Sequence, residues 1–190
     1  MKPKDPEKVI AIYRATLRLV GQNGLTGLTM AAIGKEAGIG MGTLYTYFES
    51  KEALINALFK SIKGGHTQRI FAEMDANAPY PMLVRRVLLN YLKNLIEFHE
   101  EHSFLDQALT SHFLDDEARA LGEAAYEALF ALLEKGKEAL LVKPLPNPLL
   151  AANLIGAANE IANLVIHGTS KLDQEFVDQA FTLCWDSIKR

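Results

Sequence analysis

The stretch from Thr29 to Leu54 constrains the fold of this 190-residue chain more than any other part of it. It holds two short helical patterns that are broken at Gly38, and a third pattern begins at Ser50. Thr29 and Ser50 are residue types that cap helix N-termini, and glycine permits a sharp turn. Helices this short are unstable alone, so they must pack on their neighbours. The segment therefore predicts a helix-turn-helix, which can offer one helix to a DNA major groove.

The second helix of this segment divides into an inner and an outer face. Leu44 and Phe48 lie at positions i and i+4, so both face inward. The remaining side chains point elsewhere: Thr43, Tyr45, Thr46 and Tyr47. For the two tyrosines an alternative is packing of the ring, with only the hydroxyl left in water.

The run AGIGMGTLYTYFESKEAL resembles the TetR-type bacterial transcriptional regulators, because its glycine turn, Thr-Leu-Tyr, aromatic pair and Ser-Lys cap have that family's spacing. The recognisable match covers residues 8 to 60. It implies an all-α fold with a three-helix helix-turn-helix domain in residues 1–50. A fourth helix leads into a helical ligand-binding and dimerisation domain in residues 51–190. It also implies a repressor, not an enzyme, that binds a palindromic operator as a homodimer and is released by a small organic ligand.

The resemblance also assigns the DNA contacts. It implies phosphate contacts from Thr29, Tyr45, Tyr47 and Lys51. It leaves the base edges to Met41, Gly42, Thr43, Tyr45 and Thr46.

Charge is unevenly distributed along the chain. Residues 1–72 carry ten Lys and Arg against five acids, whereas the remaining residues carry ten against eighteen. We therefore expect double-stranded DNA to meet the first part only. The alternative is that the modest positive charge is just a solvated surface.

Several sequence features favour a cytoplasmic protein without a metal or cofactor. The single cysteine, Cys184, excludes an internal disulfide. The start MKPKDPEKV lacks the apolar core of a signal peptide, and we find no apolar run of the roughly 18 residues that cross a membrane. His99, His102 and Asp106 would share one face of a continuous helix, but Ser103 resembles a new cap, so no metal site is expected. No phosphate-binding glycine loop or nucleophile elbow is present.

Apolar periodicity predicts about nine helices and no strand. The first covers about 6–22, and the fourth begins at Ser50 and meets Gly64 and Gly65, which either end it or permit a bend. The later helices are predicted at about 80–101, 103–113, 115–141, 148–167 and 173–189.

The predicted fifth to eighth helices carry aromatic and amide residues that would suit a mostly apolar ligand pocket with few polar anchors. The candidates are Tyr91, Asn94, Phe98, Phe104, Tyr126, Phe130, Asn159 and Asn163. The alternative is that most of the aromatic residues are ordinary core.

The last two helices are amphipathic and are candidates for a four-helix interface with a second copy. The candidate interface residues are Gly156, Val177, Phe181, Cys184, Trp185 and Ile188. The alternative is that these helices close the monomer's own core. A second functional hypothesis is a DNA-bound adaptor whose helical domain recruits a protein. An exposed apolar patch outside these two helices would favour the adaptor, and an enclosed cavity would favour ligand sensing.

Gly40, Met41 and Gly42 predict an operator that leans toward A and T. No side chain in this run can form the bidentate contact that arginine forms with guanine, whereas Met41 suits the thymine methyl group. Mapping of base contacts on the operator tests this preference. Contacts dominated by guanine opposite the third helix would contradict it.

Overall fold

The computed structural model describes residues 5–75, 77–124 and 126–190, and these residues form ten helices and no strand. The only pairing of β type within them is an isolated bridge between Val142 and Lys189. The all-α prediction is confirmed. The helices are α1 Pro6–Asn23, α2 Met30–Glu36, α3 Met41–Tyr47, α4 Lys51–Ile70, α5 Tyr80–Glu97, α6 His99–Leu109, α7 Asp116–Ala124, α8 Glu127–Glu138, α9 Asn147–Ile166 and α10 Gln174–Ile188.

The chain divides into two compact units. Unit 1 comprises Met1–Lys63 and Glu100–Gly122, and unit 2 comprises Gly64–His99 and Glu123–Arg190. Unit 1 therefore holds α1–α3, most of α4 and nearly all of α6. This division by packing differs from the predicted boundary after residue 50, because a segment distant in sequence packs with the first helices.

The core of unit 1 joins α1–α4 to α6. Ile12, Ile33, Leu44, Phe59 and Phe104 are all fully buried in one cluster. The side-chain oxygen of Gln107 in α6 also accepts a hydrogen bond of 2.8 Å from the Leu25 backbone N–H. Both α1 and α6 therefore contribute to the core that holds the helix-turn-helix.

The predicted caps and turn of the helix-turn-helix are present. Thr29 Oγ1 accepts from the Ala32 N–H at 3.2 Å, and Ser50 Oγ accepts from the Ala53 N–H at 3.0 Å. Gly38, between α2 and α3, has a φ of 66°, a conformation that glycine adopts at little cost.

The fourth helix continues through Gly64 and Gly65 to Ile70, so the alternative of a helix end at the glycines is wrong. The division between the two units falls between Lys63 and Gly64.

Two predicted helix boundaries are also wrong. The chain leaves helical geometry at Phe98, with φ −115° and ψ 39°, and α6 begins at His99, so Ser103 lies inside a helix and is not a cap. The predicted helix at 115–141 is two helices, with Tyr126 as the N-cap of α8. Although α6 carries His99, His102 and Asp106 on one continuous helix, no group of three or more metal-ligating side chains occurs among the described residues.

Unit 2 is built around α9, which packs against α5, α8 and α10. Its buried residues include Leu88, Leu92, Leu133, Leu150 and Ala158. The C-terminal end is fixed to the α8–α9 connection by a hydrogen bond of 2.9 Å from the Lys143 N–H to the Ile188 carbonyl.

One of the described helices, α9, is long and apolar enough to cross a membrane by length and composition alone. The expectation that no apolar stretch is long enough to cross a membrane is therefore wrong for α9. Three of its large apolar residues, Leu149, Leu164 and Ile166, are exposed. Part of the apolar surface of α9 therefore remains uncovered.

The tightest glycine contact in unit 2 is at Gly136 of α8, and it predicts a large difference between two alanine substitutions. A Cβ at Gly136 would overlap the phenol of Tyr80 and the side chain of Val142. Tyr80 cannot move freely, because its hydroxyl donates to the Leu132 carbonyl at 3.0 Å. We expect Gly136→Ala to lower the free energy of unfolding by about 1–3 kcal/mol, as overpacking does.

The matched control is Gly21→Ala in α1, where a Cβ meets nothing within 4 Å. This substitution should raise the free energy of unfolding by up to about 1 kcal/mol. Urea unfolding measures both variants. A Gly136→Ala variant as stable as the parent chain would contradict the packing described for α8.

Candidate functional site

The third helix has a buried and an exposed face, as its sequence predicts. Leu44 and Phe48 are 0% and 7% exposed, and both lie in the core of unit 1. Five of the predicted DNA contacts are exposed to solvent: Met41, Gly42, Thr43, Tyr45 and Thr46. The structure therefore places these five residues together on the outer side of one short helix.

The two tyrosines of α3 differ in their surroundings. Tyr45 is 50% exposed. Tyr47 is half-buried, its ring packs against the unit 1 core, and its hydroxyl oxygen accepts a hydrogen bond of 3.1 Å from the Asp5 N–H. The packing alternative therefore applies to Tyr47, which also fixes the start of α1.

Met41 packs partly on α2. A Cβ at Gly34 would lie 3.3 Å from the Met41 sulfur, so the glycine gives the thioether room. Met41 is still 39% exposed.

The other two small residues of this face differ in what they offer. A Cβ at Gly42 would meet nothing within 4 Å, so the backbone there is open to close approach. The Thr46 hydroxyl donates to the Gly42 carbonyl at 2.9 Å. Its oxygen can therefore only accept a further hydrogen bond.

The two predicted phosphate contacts outside α3 lie at helix starts. Thr29 is exposed at the N-cap of α2. Lys51 is the first residue of α4, and its Nζ lies 4.4 Å from the centre of the Phe113 ring in the α6–α7 connection.

The positive charge belongs to the first four helices and not to unit 1 as a whole. Residues 1–63 carry nine Lys and Arg against five acids. Residues 100–122 add six acids and only one cation, Arg119. Unit 1 therefore has a formal charge of −1, so the attraction for DNA is confined to part of it.

Part of the predicted ligand site comes together in unit 2. The Tyr91 hydroxyl of α5 donates to Asn159 Oδ1 of α9 at 3.0 Å. Asn94, one turn further along α5, is 3% exposed, and Asn163 is half-buried one turn after Asn159.

Two residues of α4 that the sequence prediction missed border the same group. The His66 ring meets the Tyr91 ring edge-on, with centroids 6.2 Å apart. The Arg69 guanidinium lies 4.1 Å from the centre of the Phe98 ring. Their spacing of three residues on the helix after Gly64 and Gly65 was the available signal, since it places both on one face.

Other predicted ligand residues lie in or against a hydrophobic core, as the alternative for the aromatic residues states. Phe104 is 0% exposed and lies within the core of unit 1. Phe130 packs against the core of unit 2, and Tyr126, whose ring lies 6.1 Å from that of Phe130, is 38% exposed.

Some of the predicted dimer residues are buried within the chain, and others are half-buried or exposed. Val177, Cys184 and Ile188 are buried in unit 2, so for them the alternative of closing the monomer's own core applies. This burial also raises the pKa of the Cys184 thiol. Phe181 and Trp185 are half-buried and stacked on each other, whereas Gly156 is exposed. The sequence prediction missed the exposed apolar residues of α9 and α10: Leu149, Leu164, Ile166 and Leu183.

Known proteins share both the sequence pattern and the fold. A curated relative, the fatty acid metabolism regulator protein of Bacillus subtilis (strain 168), is 33% identical over 78 residues, which are 41% of this chain and 40% of that protein. The HTH-type transcriptional repressor KstR of Mycolicibacterium smegmatis (strain ATCC 700084 / mc(2)155) is 28% identical over 113 residues, or 59% of this chain and 53% of that protein. The chain spans less than half the length of the first curated relatives that it matches.

The likeness to solved structures covers the whole chain. A TetR family transcription regulator from Marinobacter aquaeolei VT8 superimposes with a TM-score of 0.87 at 25% identity, covering 100% of this chain and 99% of that one.

Two family models together match nearly all of the sequence. The model for bacterial regulatory proteins of the tetR family matches residues 12–58, and the model for the tetracyclin repressor-like C-terminal domain matches residues 59–190. The chain therefore belongs to the TetR family of DNA-binding transcriptional regulators, which are not enzymes.

Proposed function

We propose that the protein is a cytoplasmic repressor that binds a palindromic operator as a homodimer and is released by a small organic ligand. The observation that carries the proposal is the outer side of α3, where Met41, Thr43 and Tyr45 stand exposed above a buried Leu44. A seven-residue helix makes few base contacts, so useful specificity requires two half-sites. The name of KstR, a transcriptional repressor, supports repression as the direction of control.

Exposed apolar surface on α9 and α10 supports the homodimer. Leu149 and Leu164 of α9 are 57% and 43% exposed, and Leu183 of α10 is 68% exposed. Gly156, with open space where a Cβ would lie, lets another helix approach closely. We therefore assign the interface to the outer sides of these two helices, and covering α9 in this way accounts for its apolar character without a membrane.

A glutamate at Leu183 should separate the two protomers. Leu183→Glu would bury a charge in the proposed interface, so we expect a monomer in sedimentation and operator affinity at least about tenfold lower, because two linked half-site contacts become independent.

Leu140→Glu is the matched control. Leu140 is 66% exposed and lies outside α9 and α10, so this variant should remain a dimer and keep its operator affinity. A Leu183→Glu variant that remains dimeric would contradict the proposed interface.

The hydrogen-bonded pair of Tyr91 and Asn159 supports a ligand site in unit 2. It joins α5 to α9, with the half-buried Asn163 one turn away. An apolar compound with one hydrogen-bonding group could use these polar atoms as anchors. Such a compound releases DNA only if it binds the DNA-free conformation more tightly, since equal affinity would shift nothing.

Loss of the Tyr91 hydroxyl should weaken the response to such compounds. A panel of apolar carboxylic acids, alcohols and amides is screened by fluorescence anisotropy for release of the protein from operator DNA. Tyr91→Phe should raise the half-effective concentration of an active compound about two- to tenfold, the loss expected for one hydrogen bond.

Met82→Ala is the control for that experiment, because Met82 lies on the same helix and is 53% exposed. It should leave the response unchanged. Equal potency toward the parent, Tyr91→Phe and Asn159→Leu proteins would contradict a ligand site at this pair.

A second candidate function, a DNA-bound adaptor for a protein partner, is favoured by one observation. Leu140, Leu141 and Leu145 in the α8–α9 connection are 66%, 39% and 40% exposed, so the chain has exposed apolar residues outside α9 and α10. Leu140 also has a φ of 58°, a conformation that costs a leucine about 1 kcal/mol or more. A partner protein that binds the parent chain but not the Leu140→Glu variant would support the adaptor.

A further inference from the structure

The α6–α7 connection, residues 110–115, is part of the same compact unit as the helix-turn-helix. A buried side chain of α4 joins the two. Asn56 Nδ2 donates to the Phe113 carbonyl at 2.8 Å, and Asn56 Oδ1 accepts from the Asp115 N–H at 2.9 Å. Asn56 is only 9% exposed, so these bonds form away from bulk water. One amide therefore fixes the backbone on both sides of residue 114 to α4.

The connection is also fixed from within. Ser111 Oγ accepts from the Phe113 N–H at 3.2 Å and donates to the Ala108 carbonyl at 2.7 Å. The Arg119 guanidinium donates to the Ser111 carbonyl at 2.7 Å. Both backbone polar groups of Phe113 are therefore hydrogen-bonded, and its ring also contacts the His112 ring, with centroids 4.2 Å apart.

That ring lies against Lys51. The Lys51 Nζ is 4.4 Å from the ring centre, within the range of a cation–π interaction. Unlike a carboxylate, the ring carries no formal charge to neutralise the ammonium. Lys60, nine residues further along α4, differs, because its ammonium is paired with the carboxylates of Asp115 and Glu117. Lys51 therefore has a neutral ring beside its ammonium at the start of α4, whereas the ammonium of Lys60 lies beside two carboxylates.

We infer that Phe113 is a positioning residue for DNA binding, which holds the Lys51 ammonium in place for its phosphate contact. This inference rests on the proposed function of Lys51. An unrestrained lysine side chain loses rotamer freedom when it binds a phosphate, and a side chain already held by the ring loses less. The DNA-binding surface therefore depends on a residue outside residues 12–58, the part that matches the helix-turn-helix family model.

A double-mutant cycle tests this inference with the parent chain, Phe113→Leu, Lys51→Gln and the double variant, and Phe113→Trp and Leu109→Ala are measured beside it. The probe is a duplex selected from random DNA by the parent protein, and its dissociation constant is measured over a series of KCl concentrations. We expect Phe113→Leu to weaken binding about two- to fivefold, the range for an exposed cation–π contact. It should have no further effect in the Lys51→Gln background, and Phe113→Trp should bind at least as tightly as the parent.

The salt dependence separates positioning from charge. Lys51→Gln removes a cation, so the slope of log affinity against log salt should become shallower by about 0.9 for each phosphate that the variant no longer neutralises. Phe113→Leu keeps the cation, so its slope should equal that of the parent. Leu109→Ala controls for general destabilisation, because Leu109 packs against the same core. If Leu109→Ala lowers the melting temperature as much as Phe113→Leu does, it should still bind DNA as tightly as the parent.

The outcomes that overturn the inference are distinct. If Phe113→Leu weakens binding equally in the parent and in the Lys51→Gln background, the ring acts through folding and not through the lysine. If Phe113→Leu tightens binding, the ring withholds Lys51 from DNA. If Lys51→Gln weakens binding and Phe113→Leu does not, the inference alone fails. If Lys51→Gln has no effect, the proposed phosphate contact fails, and the inference fails with it.

Discussion

Two seven-residue helices cannot persist in water on their own hydrogen bonds, and the DNA-binding surface depends on how they are packed. The buried side of α3 is anchored by Leu44, which lies in one cluster with Ile33 of α2 and Ile12 of α1. Phe104 of α6 completes that cluster from a distant part of the sequence. Because this cluster holds α3 in place, the exposed residues on its outer side can differ between regulators without loss of the fold.

The participation of residues 100–122 in unit 1 has two opposite consequences for binding. Their six acids cancel the positive charge of the first four helices when the unit is taken as a whole. Their polar and aromatic contacts, through Asn56 and Phe113, hold the start of α4 in place. Attraction for DNA therefore depends less on the net charge of the unit than on where its individual cations lie.

The local features of the helix-turn-helix could be predicted from the sequence because short-range rules govern them. Thr29 and Ser50 cap helices, Gly38 adopts a positive φ, and Leu44 and Phe48 face inward. These outcomes depend on residues within one or two helical turns of each other.

Features that depend on distant partners could not be predicted in the same way. Periodicity marks Val177, Cys184 and Ile188 as apolar, but it does not show whether the chain itself or a second copy covers them. The same limit applies to Phe104, which pattern alone could assign to a ligand site. The contact between Asn56 and Phe113 gave no signal, since it joins residues 57 positions apart. Ser103 misled because a serine inside a helix and a serine at its start look alike in sequence.

Hydrogen exchange of the full chain with and without operator DNA tests the central claim most directly, because it reports which surface DNA covers. We expect slower exchange on DNA binding in Met41–Tyr47 and at the start of α4, where contact with DNA suppresses local opening of short helices. Exchange on the outer side of α5 should not change. Unchanged exchange in α3, with protection confined to unit 2, would contradict the assignment of α3 as the DNA-binding helix.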